Sequence, residues 1–498
     1  MKKTYLLFAA FSSMMLSAQQ KNTLLESSFW KSNPDVAAVK TEIAKGNNPS
    51  ESNQRNMDVV TSAILSGASA DVVTLLLDQP GNSVSKITHE GRTYLHWAAM
   101  KGNPEVVEVL LKKGSDINLE EEHGLSPAYL AAANGGCSVA MFEVLTKNGL
   151  DLKKKYKDGA NLLLLAISND KDFSVTEYLI SKGLSVKDTD DKGNSSITYA
   201  ARGGNVEAIK KLMKQGVKYN DETLIFAAQG TRRGANTIEI YKYLVDELKI
   251  KPTVTTKEGE TVLQIITKKQ NQAEVAQYFI AKGLDVNKTD KEGNNSFMNA
   301  ASGKDIALIN VLLPKVKNIN AINNKGKSAL TMAVEKSSAE VIALLLKNKA
   351  DAGIKDIDGN SLAYYLIDSY KAPREGFGGG QQKDDFEDKI KLLQDKGVSF
   401  NASQKDGNTI YHLAVAKNDL NLLKKIKDLN VDVNQKNKDG LTALHRAAMI
   451  SKNDEVLKYL VSIGAQKEIA SEFNETAYSL AKENDFLTKN NVDINFLK

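Results

Sequence analysis

The side chains that could carry chemistry are few: five histidines, one cysteine, one glycine run and scattered carboxylate pairs. His89 and His123 stand beside Glu90 and Glu122, and imidazole with carboxylate is a donor set for zinc. They fall in separate turns without fixed helical spacing, so no metal site is expected. His96, His412 and His445 recur at one position of a repeated pattern, which predicts framework roles and leaves no Ser/His/Asp order to argue. Asp384 and Asp385 are adjacent, but loop acids lack the burial that separates two carboxyl pKa values, so solvated charge is expected. The run "GFGGG" at 376–380 has no following lysine with Ser/Thr and no preceding strand, so it reads as a loop and not a phosphate cradle. Cys137 is the only cysteine; no intramolecular disulfide can form, and packing as a small apolar residue is expected. No catalytic residue and no cofactor follow from these groups.

The elements that must position any site are set by repetition. Glycines after polar turn residues fall at 91, 124, 159, 193, 259, 293, 326, 359, 407 and 440, mostly 33 to 35 apart. A period of this length is the mark of stacked supersecondary units. Tripeptides such as "KDG" at 157 and 405 and "KEG" at 257 and 291 supply the turn chemistry of hairpins. A short alanine-rich helix follows, as in "LHWAA" and "LHRAA". The second helix is announced by "GNPEVVEVLLKKG": Asn103 as cap, Pro104 in the first turn, Glu105 at the positive end and Gly114 as the left-handed stop. Val106, Val107, Leu110 and Leu111 share the spacing of one apolar face, which the next unit must cover.

These residues carry a family resemblance. The pattern G-x-T-x-L-H-x-A-A, then a capped V-V-x-x-L-L helix, then G-x-D-I-N resembles the ankyrin repeat, most closely at residues 91–118 and 440–465. The resemblance implies an all-α repeat solenoid of stacked helix-turn-helix ankyrin units with short hairpin loops. Expected boundaries are residues 19–90 for degenerate N-terminal units, 91–473 for the array and 474–498 for a C-terminal cap, about thirteen or fourteen units in all. The histidine of the pattern is implied to bond within its turn; other units place Leu164, Thr198, Ile225, Gln264 or Tyr364 there. Two units are stretched, with 39 residues from Asn220 to Gly259 and 48 from Gly359 to Gly407. The excess is expected between the helices, at 229–236 and 369–388.

In that family hairpin tips and first helices form a concave recognition surface. Carried over unit by unit, it comprises Arg92, Met100, Lys101, Asn194, Arg202, Lys268, Lys269, Glu335, Lys336, Met449 and Ile450. The insertions add Arg232, Arg233, Lys371, Arg374 and Phe377. Trp97, Tyr199, Phe226 and Tyr365 replace the family's usual leucine, with core packing the favoured reading over a binding stripe.

Charge and the N-terminus bound the partner. The 66 basic and 61 acidic side chains nearly cancel, without the basic stripe of a nucleic-acid binder. Residues 1–18, "MKKTYLLFAAFSSMMLSA", pair Lys2 and Lys3 with an apolar run too short to span a bilayer and a small residue at Ala18, the layout of a secretory signal. The expectation is an exported, bacterial-type chain, periplasmic or extracellular, without membrane insertion after signal removal: a monomeric, non-enzymatic scaffold binding another envelope or secreted protein. The alternatives are an accessory or inhibitor subunit of a periplasmic enzyme and a structural protein of the cell envelope.

Overall fold

A computed structural model describes residues 21–232, 234–372 and 384–498. Among them are 28 α-helices arranged as fourteen successive pairs, and no β-strand. Four of the described hairpins between pairs carry an isolated antiparallel bridge, as between Thr189 and Ser195 and between Ile322 and Ser328. The class is an all-α repeat solenoid. The chain forms two compact units, one ending at Asp151 and one beginning at Leu152. The proposed signal at 1–18 lies outside the described residues.

The first unit holds four helix pairs, and its third shows how local sequence builds each one. Tyr94–Lys101 ends at Gly102, whose φ of 85° closes the helix in the left-handed region. Asn103 then caps Pro104–Lys112 by accepting the Val106 N–H at 3.1 Å. Val106, Val107 and Leu110 are fully buried on the stacking face, each worth roughly 1.5–3 kcal/mol; Leu111, expected beside them, is half-buried at the edge. Ala98 and Ala99 are also fully buried, so the first helices of neighbouring pairs, Tyr94–Lys101 and Pro127–Asn134, pack directly. Short side chains leave nothing to hold them apart.

The second unit holds ten pairs, from Leu162–Ala166 to Asp485–Lys489. Its two insertions fall between the helices of their pairs, as the spacing predicts. The first lies between Glu222–Gln229 and Ile238–Lys242 and is tied down by Asn236, whose amide donates to the carbonyls of Ala201 and Arg202 at 3.2 Å and of Ala227 at 2.8 Å. After the second, the helix begins at Phe386, so 386–388 are its first turn and not loop.

The expected solvated charge holds for Asp384, which is exposed, whereas Asp385 is half-buried at the N-cap of that helix. Asp385 Oδ2 accepts the backbone N–H of Ala339 in the preceding pair at 2.7 Å, and Asp384 meets Lys425 of the following pair at 3.0 Å. Burial pushes the Asp384 carboxyl up, yet the hydrogen bonds from Lys425 and the Phe386 N–H, with the charge of Lys425, hold it below its ordinary value. The two acids clamp the insertion's end to both neighbours.

Candidate protein-binding surface

The hairpin tips and the C-terminal ends of first helices were expected to present one surface, and the structure separates framework from exposed groups among them. Arg92 and Asn194 are corrections: they are only 6% and 2% exposed. The Arg92 guanidinium lies 4.7 Å from the Trp97 ring centroid and 2.8 Å from Glu90. Asn194 donates to Asp190 Oδ2 at 2.9 Å and accepts from Asn220 at 3.2 Å. Both are buried inside the hairpins.

Other positions do face outward. In the first unit, Lys101 is exposed and Met100 half-buried; Lys101 lines an open cavity of about 370 Å³ with Gly67, Gly102, Asn103, Pro104 and Glu105. In the second unit Lys268 and Lys336 are exposed, Lys269, Arg202 and Glu335 are half-buried, and Met449 and Ile450 are 49% and 37% exposed. Lys268 pairs with Glu260, and Glu335 accepts from Lys327 at 3.0 Å. Arg202 lies 4.4 Å from the Phe226 ring centroid and donates to Gln229 at 2.8 Å. Burial and the nearby Arg202 charge push the Lys269 amine below its usual value. Arg202, Lys269 and Phe226 are thus brought together, whereas Glu335 and Lys336 belong to a different pair. Arg232 and Lys371 are exposed; Arg233, Arg374 and Phe377 lie outside the described residues.

The aromatics at the leucine position are mostly framework. Trp97 Nε1 donates to Thr88 at 2.8 Å, and the hydroxyls of Tyr199 and Tyr365 donate to Asp190 at 3.0 Å and Asp356 at 2.5 Å. Each bond runs back nine residues to the start of the same hairpin, and only Phe226, lacking a polar tip, stays half-buried.

The histidines go further than a bond within the turn. At His96, His412 and His445, Nδ1 accepts the backbone N–H of Thr93, Thr409 and Thr442 at 3.1–3.2 Å, which places the proton on Nε2. Nε2 then donates to the carbonyls of Leu119, Leu441 and Glu475, in the following repeat's approach or hairpin. Burial pushes all three imidazoles below their ordinary pKa.

Sequence reasoning missed the apolar hairpin tips. Ile357 is 69% exposed and Phe473 81%, and Ile322 stands exposed on the hairpin before that of Ile357. For two of them the signal was present: Ile357 stands where equivalent turns carry Asp191 or Lys291, and Phe473 where an equivalent turn carries Lys192.

Fourteen described helix pairs joined by hairpins, with framework groups turned in and a mixed apolar and basic set turned out, define a repeat protein built for surface recognition. The family model for ankyrin repeats matches residues 30–121, 128–223, 224–321, 265–356 and 382–484, and the chain belongs to that family. In general terms such a chain is a protein–protein interaction scaffold. It is 26% identical over 300 residues to the ankyrin repeat and KH domain-containing protein mask-1 of Caenorhabditis elegans, covering 58% of this chain and 11% of that protein. It is 32% identical over 150 residues to the human neurogenic locus notch homolog protein 2, covering 30% and 6%, and 23% identical over 317 residues to the E3 ubiquitin-protein ligase KEG of Arabidopsis thaliana, covering 57% and 18%. The chain therefore spans less than a fifth of each of these three relatives.

Proposed function

We propose that this chain is an exported, non-enzymatic ankyrin scaffold that binds another envelope or secreted protein through its outward hairpin tips and first-helix ends. The observation that carries this reading is the exposure of Ile357, Phe473, Met449 and Ile450 at recognition positions, with Lys101, Lys268 and Lys336 at equivalent edges. Large apolar side chains exposed beside polar ones favour a protein interface. The near balance of charge disfavours nucleic acid. Export rests on residues 1–18, and among the described residues no helix is long and apolar enough to cross a membrane.

The test uses residues 19–498 as bait on an exported-protein extract, beside a variant carrying Ile357→Ser, Met449→Ser, Lys101→Glu and Lys268→Glu. Capture of one dominant protein by the parent bait alone supports the scaffold. Equal capture by both baits removes the surface from the argument. If the captured protein is an enzyme whose rate changes in the complex, the accessory-subunit reading takes over. Fusing residues 1–18 to a reporter active only outside the cytoplasm tests export separately.

A further inference from the structure

Several hairpins among the described residues are built around one acceptor side chain that takes two backbone N–H groups. Asp190 Oδ1 accepts from Lys192 at 2.9 Å and Asn194 at 2.8 Å; Asp356 Oδ1 accepts from Asp358 at 2.9 Å and Asn360 at 2.8 Å. The second oxygen is then used by side chains four and nine residues on. Asp190 Oδ2 receives Asn194 and Tyr199, and Asp356 Oδ2 receives Asn360 and Tyr365.

Glu121 occupies this place in the hairpin after the first strong repeat. Its Oε1 accepts the N–H groups of His123 at 2.9 Å and Leu125 at 3.2 Å, as the pattern demands. The residues four and nine further on, however, are Leu125 and Leu130, and neither side chain has a donor. Glu121 Oε2 is left buried without a hydrogen bond, on a side chain that is 0% exposed. The Arg92 guanidinium stands 3.6 Å away, beyond hydrogen-bond length, and is engaged with Glu90 at 2.8 Å. A buried carboxylate oxygen without a donor is costly.

Ligand atoms of Glu90, Glu121 and His123 lie within 4.8 Å of one another. Glu90 comes from the hairpin one repeat earlier, and the two hairpins touch through the Glu122 N–H to Glu90 carbonyl bond at 3.4 Å. We propose that Glu90, Glu121 and His123 bind a divalent cation of the zinc class, which satisfies the Glu121 oxygen and ties two hairpins together. Two carboxylates and one imidazole suit zinc, with water completing the tetrahedron. Calcium wants six to eight oxygens and is disfavoured. Arg92 opposes the cation, since a guanidinium already neutralises one of the two carboxylates, and this keeps affinity moderate. This revises the expectation of no metal, and the ligand set is not the one sequence pointed to: His89 faces Glu90 at 3.7 Å and stands outside the trio.

The full chain is titrated with zinc against a chromogenic chelator, beside His123→Ala and Glu90→Gln; neither residue is buried, and circular dichroism checks that both variants fold. Glu121 is left intact because its hairpin depends on it. The expected result is one zinc per chain, weakened at least about tenfold in each variant, with a zinc-induced rise in melting temperature that His123→Ala loses. An exposed control, Asp485→Asn, keeps parental affinity. No saturable zinc binding by the parent, or binding that both variants retain, overturns the proposal.

Discussion

His412 Nε2 donates a 2.8 Å hydrogen bond to the carbonyl of Leu441, 29 residues ahead, so one side chain fastens its own helix to the next hairpin. In another repeat Gln264 does the same with different chemistry: its Oε1 accepts the Thr261 N–H at 2.8 Å and its Nε2 donates to the Asn294 carbonyl at 2.7 Å. Glutamine thus reproduces both bonds without a titrating group.

The first prediction follows. Burial lowers the pKa of His96, His412 and His445 from 6.5, so the folded state binds fewer protons than the unfolded chain. Their contribution is fully present above about pH 6.5 and declines as pH falls below it. Between pH about 7.5 and 5.5 the parent's urea midpoint should fall, and a triple His→Gln variant should fall less while matching the parent at the upper pH.

Asp58 is wholly buried, accepting the Thr61 N–H at 2.9 Å and the Tyr94 hydroxyl at 2.5 Å and pairing with Lys86 at 2.8 Å. Burial, with Asp58 beside it, pushes the Tyr94 phenol far above its ordinary value, so it is a donor at any working pH. Tyr94→Phe should cost about 1–3 kcal/mol in equilibrium unfolding, since it removes a donor from a buried carboxylate.

Gly326 and Gly359 hold the same hairpin position at φ of 74° and 79°. A Cβ on Gly326 would sit 2.7 Å from the Ile357 backbone nitrogen, whereas one on Gly359 meets nothing within 4 Å. Both alanine variants should lose about 1 kcal/mol or more to the left-handed backbone, and Gly326→Ala should lose measurably more in parallel melts.

Asp385 stands in for a cap at the N–H of Ala339 and pairs with Lys389 at 3.2 Å. Asp385→Ala should destabilise the chain by about 0.5–2 kcal/mol, read by urea unfolding, and Asp485→Ala should stay near parental stability. Equal losses would show that the insertion's end is not clamped.

Ile357→Ser and Met449→Ser remove exposed side chains and should leave the melting temperature within about 2 °C of the parent. On the proposed function at least one should weaken the captured partner by about 1 kcal/mol or more in a direct titration.

Much was legible in the sequence because a repeat declares itself by short-range pattern. Asn103, Pro104 and the positive-φ glycines act within a few residues, so their roles needed no tertiary knowledge. The two insertions could be placed between helices from the spacing of turn glycines alone. Asp384 and Asp385 could not be read that way, since their partners Lys425 and Ala339 lie in flanking repeats.

The sequence by itself determined the period, the helix pairs, the hairpins and their caps, because each depends on backbone preferences and apolar spacing inside about 33 residues. Only the tertiary structure decided which equivalent positions face outward. Arg92 and Asn194 read as surface groups and are buried, while the exposed Ile357 and Phe473 were not singled out at all. The reason is that exposure at a hairpin is set by the register of its neighbour. That register also left Glu121 beside Glu90 and His123, a meeting of residues from two hairpins that no single repeat encodes.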